Sequence, residues 1–233
     1  MELFNELYGM LREFNTVSVI ARLTLAMICG GLIGIDRGRK HRPAGFRTHM
    51  LVCLGATLTM LISQYVTVVL HQGTDLTRFG AQVINGIGFL GAGTIVVAGR
   101  QQVKGLTTAA GLWASACMGL AIGAGFYLAA ILSCALIILT VTVLTKLQKV
   151  IMANARNMNV YVEYSAQENI GYIISSIHEK NVKMFDVELN KGDVKSGSTP
   201  SVVFSVNLPK KMKHSDFIAM LSEIEGVTLV EEL

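Results

Sequence analysis

The stretch "NGIGFLGAG", Asn85 to Gly93, decides how the chain is read. It holds G-x-G-x-x-G at Gly86, Gly88 and Gly91, the spacing of a turn that cradles the phosphates of a dinucleotide. That chemistry sets conditions. The glycines must follow a strand and open a helix, and a carboxylate about 20 residues on must take the ribose hydroxyl. The run upstream, "FGAQVI", is too short and mixed for a strand, and no Asp or Glu occurs between Asp75 and Glu163. The motif lacks its partner, so the glycines need another reason.

Composition supplies it. The 233 residues are 52% hydrophobic and only 15% charged, where soluble domains average about 25% charged. The charge is also segregated. From Val17 to Val150 the only acids are Asp36 and Asp75, and the other fourteen of the sixteen fall in the first 13 residues or from Glu163 on. This is the pattern of a membrane half followed by a water-soluble half. A formal net charge of +4 gives no reason to expect a nucleic-acid partner.

A spanning helix needs about 20 apolar residues. Val17–Ile35, Thr48–Leu70 and Gly80–Ala98 satisfy this. Leu106–Leu144 is too long for one span and breaks at Gly123 to Gly125, giving Leu106–Ile122 and Phe126–Leu144. Five transmembrane helices are therefore expected. Val17–Ile35 is followed by Asp36-Arg37 and lacks the small-residue cleavage site of a signal peptide. The loop after the first helix carries Arg37, Arg39, Lys40, Arg42 and Arg47. The loop after the third carries Arg100 and Lys104, and the segment after the fifth Lys146, Lys149 and Arg156. Basic loops face the cytoplasm, which puts the N-terminus outside and the C-terminus inside. Leu3, Phe4, Leu7, Leu11 and Phe14 recur at helical spacing, so residues 1–16 are read as an interfacial or capping segment.

In lipid, small residues let helices approach closely. Gly30, Gly31 and Gly34, and Gly86, Gly88, Gly91 and Gly93, are read as packing faces, with the third helix central and contacted all round. Cys29, Cys53, Cys117 and Cys134 lie inside predicted helices without metal-ligand spacing and read as small buried hydrophobes. The tail is expected to be a domain of its own. "MNVYVEYS" alternates as a strand, "QENIGYIISSIHEKN" has helical spacing, "VKMFDVELN" and "SVVFSVNL" are strands, "HSDFIAMLSEIEG" is an amphipathic helix and "VTLVEEL" a strand. The order βαββαβ is the ferredoxin-like unit. His178 and His214 read as isolated and exposed. The domains are thus 1–16, 17–145 in the membrane, a linker at 146–157, and 158–233 in the cytoplasm.

Among polar residues, Arg22 lies about five residues into the first helix. It either snorkels outward or has a functional place in the span. Asp36-Arg37 and "AGFRT", with Gly45, Arg47 and Thr48, flank the first inner loop. There Asp36 could join Arg37, Arg47 or a lipid phosphate in a charge cluster, or the cations could be plain loop charge. Asn85, Thr94, Thr107 and Thr108 could bond across helices or line a cleft. "KGLTTAAG", from Lys104 and Gly105 through Gly111, resembles a helix N-terminus aimed at an anion or carbonyl.

Three ordered blocks, "GGLIGIDRGRKHRPAGFRTHMLVCLGA", "QVINGIGFLGAGTIV" and "VKGLTTAAGLWASACMGLAIGAG", together resemble the MgtC/SapB family of bacterial inner-membrane proteins, from about Arg22 to Leu144. The resemblance implies about five spans and a cytoplasmic tail of ACT type. It also implies roles in growth at low magnesium, in adaptation inside host cells and in modulating membrane ATPases, the F-type ATP synthase included. The family usually has Glu at the place of Asp36, and some members have Asn at the place of Thr107. Family members are often described as magnesium transporters. Magnesium takes near-octahedral oxygen ligands, commonly one or two carboxylates. In the membrane half only Asp36 and Asp75 could serve, both at span edges. The expectation is a non-enzymatic modulator of ion homeostasis with no cofactor or resident metal, bound by lipid and by a membrane partner such as an ATPase, and a homodimer. The alternative is a transporter or channel for a small ion or solute.

Overall fold

The structure is a computed structural model that describes residues 9–11, 13–73, 75–98, 102–153, 155–165, 169–180, 182–190, 192, 199–209 and 212–233. The chain divides into two compact units between Lys146 and Leu147.

The first unit is helical. Its elements are α1 (Thr16–Arg39), α2 (Phe46–Val68), α3 (Leu76–Thr94), a two-stranded hairpin β1 (Val96–Ala98) and β2 (Gln102–Lys104), α4 (Leu106–Gly123) and α5 (Tyr127–Leu139). A π-helical turn (Thr140–Leu144) then leads into α6 (Thr145–Ala153). Local chemistry sets the ends. The Asn15 side chain accepts from the Ser18 amide at 2.8 Å and caps α1. Asp75 caps α3, accepting from the Thr77 amide at 2.9 Å and hydroxyl at 2.7 Å, bonds that hold its carboxyl below the usual range. Gly125, at φ +80°, closes α4. Its amide bonds Ile122 O and the Phe126 amide bonds Ala121 O, both at 2.9 Å. That is the paired bonding of a glycine-terminated helix.

Four helices, Thr16–Arg39, Phe46–Val69, Leu106–Gly123 and Tyr127–Met152, are long and apolar enough to cross a bilayer. The chain is a membrane protein with several apolar helices. α3 is outside that set, since Arg78, Gln82, Asn85 and its glycines dilute its apolar content. It also differs from the predicted span Gly80–Ala98. The helix ends at Thr94, and Val96–Ala98 pair antiparallel with Gln102–Lys104. β-Branched Ile95, Val96 and Val97 favour extended backbone, and Gly105, at φ +99°, turns the chain into α4. α1 also runs past its apolar stretch, through Asp36 to Arg39.

Glycines bring α1 onto α2. A Cβ on Gly30 would stand 2.7 Å from His49 O, and one on Gly34 2.6 Å from Phe46 Cα. One on Gly31 would stand 2.9 Å from the Phe46 ring. Ascending positions of α1 meet descending positions of α2, so the pair is antiparallel. α4 lies parallel to α2: Gly111 is beside His49, Gly119 beside Cys53 and Gly123 beside Thr57 and Met60. α4, not α3, is the central helix, packing on α1, α2, α3 and α5. α3 touches it along one face, where Gly91 meets Ala109 and Ile87 packs with Ala56 and Ala116. The expectation for Gly86, Gly88 and Gly93 is corrected. Nothing stands within 4 Å of a Cβ at any of the three, and Phe89 beside them is 84% exposed. The glycine-rich stretch is a helix whose outer face has no described neighbour.

The second unit has the order β3 (Asn157–Tyr164), α7 (Asn169–Glu179), β4 (Lys183–Asn190), β5 (Ser201–Asn207), α8 (His214–Ser222) and β6 (Val227–Glu232). The sheet order is β4-β5-β3-β6, every pair antiparallel. Met158, Val160, Val162 and Tyr164 point to one face and pack with Ile173, Ile177, Phe204, Phe217 and Leu221. The other face is mixed: Ser205 donates to Asn159 at 2.7 Å and Tyr161 to Glu163 at 2.8 Å, and Phe185, Val203 and Leu229 share that face. A bulge between Phe185 and Glu188 interrupts edge strand β4, with Asp186 at φ +52°.

Candidate functional site

The polar residues of the helical unit gather at its two ends. At the end where α1 begins, Arg22 is 1% exposed. Its Nε donates to the Tyr127 hydroxyl (3.0 Å), Nη1 to Gln64 Oε1 (2.7 Å) and Gly123 O (2.8 Å), and Nη2 to Leu11 O (3.2 Å). Leu11 O also receives the Tyr127 and Ser18 hydroxyls at 2.6 and 2.9 Å. One guanidinium thus ties α1, α2, the C-terminus of α4, α5 and the segment before α1. It does not snorkel. The carbonyl end of α4 carries the negative pole of that helix, which suits a cation. A polar residue in a predicted span is itself a signal, and Gln64 and Tyr127 could have been singled out on that ground.

At the opposite end Arg37 is 6% exposed and donates from Nη2 to Thr108 Oγ1 at 2.8 Å. Thr108 lies in the first turn of α4, whose N-cap, Gly105, offers no side-chain acceptor. On the same stripe of α4, Ser115 Oγ is 3.0 Å from His49 Nδ1, and a Cβ on Gly111 would lie 3.5 Å from His49 Cε1. The ring therefore lies against α4 between Ser115 and Gly111, on the stripe that also bears Thr108. His49 is fully buried, and its Nε2 is the buried side-chain nitrogen or oxygen without a hydrogen-bond partner among the described residues. An orphaned buried group of this kind costs about 1–3 kcal/mol. Sequence reasoning passed over His49, although an imidazole inside an apolar run was the available cue.

Asp36 does not join Arg37 or Arg47. Its carboxylate takes Lys40 Nζ at 2.7 Å, one helical turn along, and Lys40 reaches on to Val141 O at 3.3 Å, in the π-helical turn. Thr94 bonds within its own helix, to Gly91 O at 2.8 Å. Asn85 and Thr107 are exposed, so among the four predicted polar residues Thr108 makes the cross-helix bond. Gly45 caps α2 under Gly34 and Gly38. Arg47 and Thr48 stand at one end of an apolar groove of about 550 Å³ between α2 and α3, lined by Leu51, Gly55, Gly86 and Ile87. Cys29, Cys53 and Cys134 are buried, and Cys117 is half-buried. Among the described residues no three His, Cys, Asp or Glu side chains converge as a metal-binding group.

In the second unit His214 is not isolated. Its Nδ1 is 2.7 Å from Glu232 Oε1 and its Nε2 2.7 Å from Ala155 O, so it fastens the start of α8 to the last strand and to the approach of β3.

The MgtC family profile matches residues 23–150. The "Putative magnesium transporter YhiD" of Escherichia coli (strain K12) is 45% identical over 116 residues, 48% of this chain and 54% of that protein. "Protein MgtC" of Brucella abortus (strain 2308) is 47% identical over 105 residues, 45% of this chain and 42% of that protein. These matches span about half the length of each relative. "Protein SapB" of Bacillus subtilis (strain 168) is 26% identical over 224 residues, 91% of this chain and 94% of that protein. No solved structure matches.

Proposed function

Because the chain belongs to the MgtC family, we propose that it is a non-enzymatic membrane protein of magnesium-linked ion homeostasis that acts on a membrane partner such as an ATPase. One observation carries this reading over transport. The two carboxylates of the apolar region are both engaged at helix ends, Asp36 by Lys40 and Asp75 by Thr77, while among the described residues the charged side chains buried inside are the cations Arg22 and Arg37. A desolvated magnesium ion needs oxygen ligands, commonly with carboxylates among them, and buried cations raise the barrier to its passage. The relative named as a magnesium transporter keeps transport as the competing reading.

The protein in liposomes loaded with a magnesium-sensitive dye should pass no more magnesium than empty liposomes. The F-type ATP synthase, or another membrane ATPase, should co-purify with it from native membrane. Saturable magnesium flux would replace this reading with transport.

The proposal includes five spans in a bacterial inner membrane, α3 among them, with the tail in the cytoplasm. The parallel course of α2 and α4 and the antiparallel courses of α1 and α3 support the alternation. A cysteine placed at Arg39 should react with an impermeant reagent only from the cytoplasmic side, and one at Gly73 only from outside. The reverse pattern would invert the protein. The βαββαβ order supports an ACT-type regulatory tail. The open edges of its sheet, β4 and β6, favour pairing in a homodimer, and light scattering of the full chain in detergent should give twice the protomer mass.

A further inference from the structure

From the Arg37 end of the helical unit we infer a binding site for a phosphate group, formed by Arg37, Thr108 and the first turn of α4. Burying a guanidinium is costly unless its donors and charge are answered. Arg37 gains from the carbonyl end of its own helix, and the Thr108 hydroxyl takes one of its five N–H groups. The same guanidinium faces the amino end of α4, which is the positive pole of that helix. The first turn of α4 has no side-chain cap, so its leading amides also seek an acceptor. The acid nearest in sequence, Asp36, is taken by Lys40.

His49 is the independent sign that something else is present. Its buried Nε2 has no partner among the described residues, and its ring lies on the stripe of α4 that bears Thr108, Gly111 and Ser115. In the tautomer whose Nδ1 accepts from the Ser115 hydroxyl, Nε2 holds a hydrogen that a phosphate oxygen, or a water on that oxygen, would accept. The arrangement is rich in donors: a fork of guanidinium N–H groups, helix amides and, in that tautomer, an imidazole N–H. This is the chemistry that takes a tetrahedral oxyanion. The flanking Lys104 and Arg42 are exposed and would draw such an anion in. A phospholipid headgroup and free phosphate share this chemistry.

The test uses the full chain, delipidated in dodecyl maltoside, with thermal unfolding followed against three additives at constant ionic strength. These are inorganic phosphate, dioleoylphosphatidylglycerol, and dioleoylglycerol, which has the same chains without the phosphate. Tm should rise saturably with phosphatidylglycerol, with phosphate, or with both, and not with dioleoylglycerol. A rise with inorganic phosphate assigns the site to a soluble anion, and a rise with phosphatidylglycerol alone assigns it to lipid. Arg37→Gln and Thr108→Val should each weaken the apparent affinity by about tenfold or more, the effect of losing a charge-assisted hydrogen bond. Arg39→Gln, the same charge change at an exposed neighbour, should leave it unaltered. If Arg37→Gln does not fold, Thr108→Val decides. The inference fails if no phosphate compound gives a saturable rise, if dioleoylglycerol acts equally, or if the variants keep wild-type affinity.

Discussion

Gly105→Ala should unfold or misassemble the helical unit, the largest effect expected of any change that adds a single methyl group. The new Cβ would stand 1.8 Å from Thr94 O and 2.7 Å from Thr94 C. Both are backbone atoms, so no rotamer change can make room. The backbone also sits at φ +99°, which costs an L-residue about 1–2 kcal/mol before any clash. Relief requires parting the β1–β2 hairpin or tilting the first turn of α4, and overpacking of this type adds about 1–3 kcal/mol or more. The sum, about 2–5 kcal/mol, is a large share of the stability of most domains. The measurement is the monodisperse yield and Tm of the variant in detergent. Gly86→Ala, Gly88→Ala and Gly93→Ala are the contrast, because the space around each is open. They should stay within about 1 kcal/mol of wild type, on the stable side if alanine's helix propensity dominates. An alanine at 105 with wild-type Tm would mean that the hairpin does not form as described.

Arg22→Met should also cost about 3–5 kcal/mol, by a different route. Methionine fills part of the volume but leaves Gln64, Gly123 O, Leu11 O and the Tyr127 hydroxyl without the donor they share. Tyr127→Phe removes one hydroxyl and should cost about 1 kcal/mol. The double variant should cost less than the sum, because the two side chains serve the same carbonyl. If Arg22→Met keeps the wild-type Tm, the guanidinium is a surface group and its hub role is wrong. Arg22→Lys should recover little, since one ammonium cannot span acceptors on four segments.

The division into an apolar helical half and a half of strands and helices was legible because acids are costly in lipid and gather outside the apolar runs. The βαββαβ order of the tail was legible because each element has its own period of apolar residues. The hairpin at Val96–Lys104 was not, since its first strand continues an apolar run and a three-residue strand has no period to detect. Asp36 and Lys40 could have been paired from their four-residue spacing. Apart from Leu11, the partners of Arg22 lie 42 to 105 residues away in sequence, and those of His49 and Arg37 66 and 71 away. Local pattern carries no record of which helix a side chain will meet. The glycines show the same limit: composition marks α3 as suited to close packing, yet the positions that are packed against backbone lie in α1 and α4.

The π-helical turn at Thr140–Leu144 has an evolutionary consequence. Such a turn holds one residue more than the α-helical ladder needs, and its threonines at 140 and 142, with Thr145 just after it, bond back to carbonyls one turn earlier. Loss of a single codon there would restore a regular helix without breaking the chain's path. It would also rephase every side chain of α6 by about 100° relative to α5. The face that Lys146 and Leu147 present could thus be reset in one genetic step, with the helices upstream unchanged.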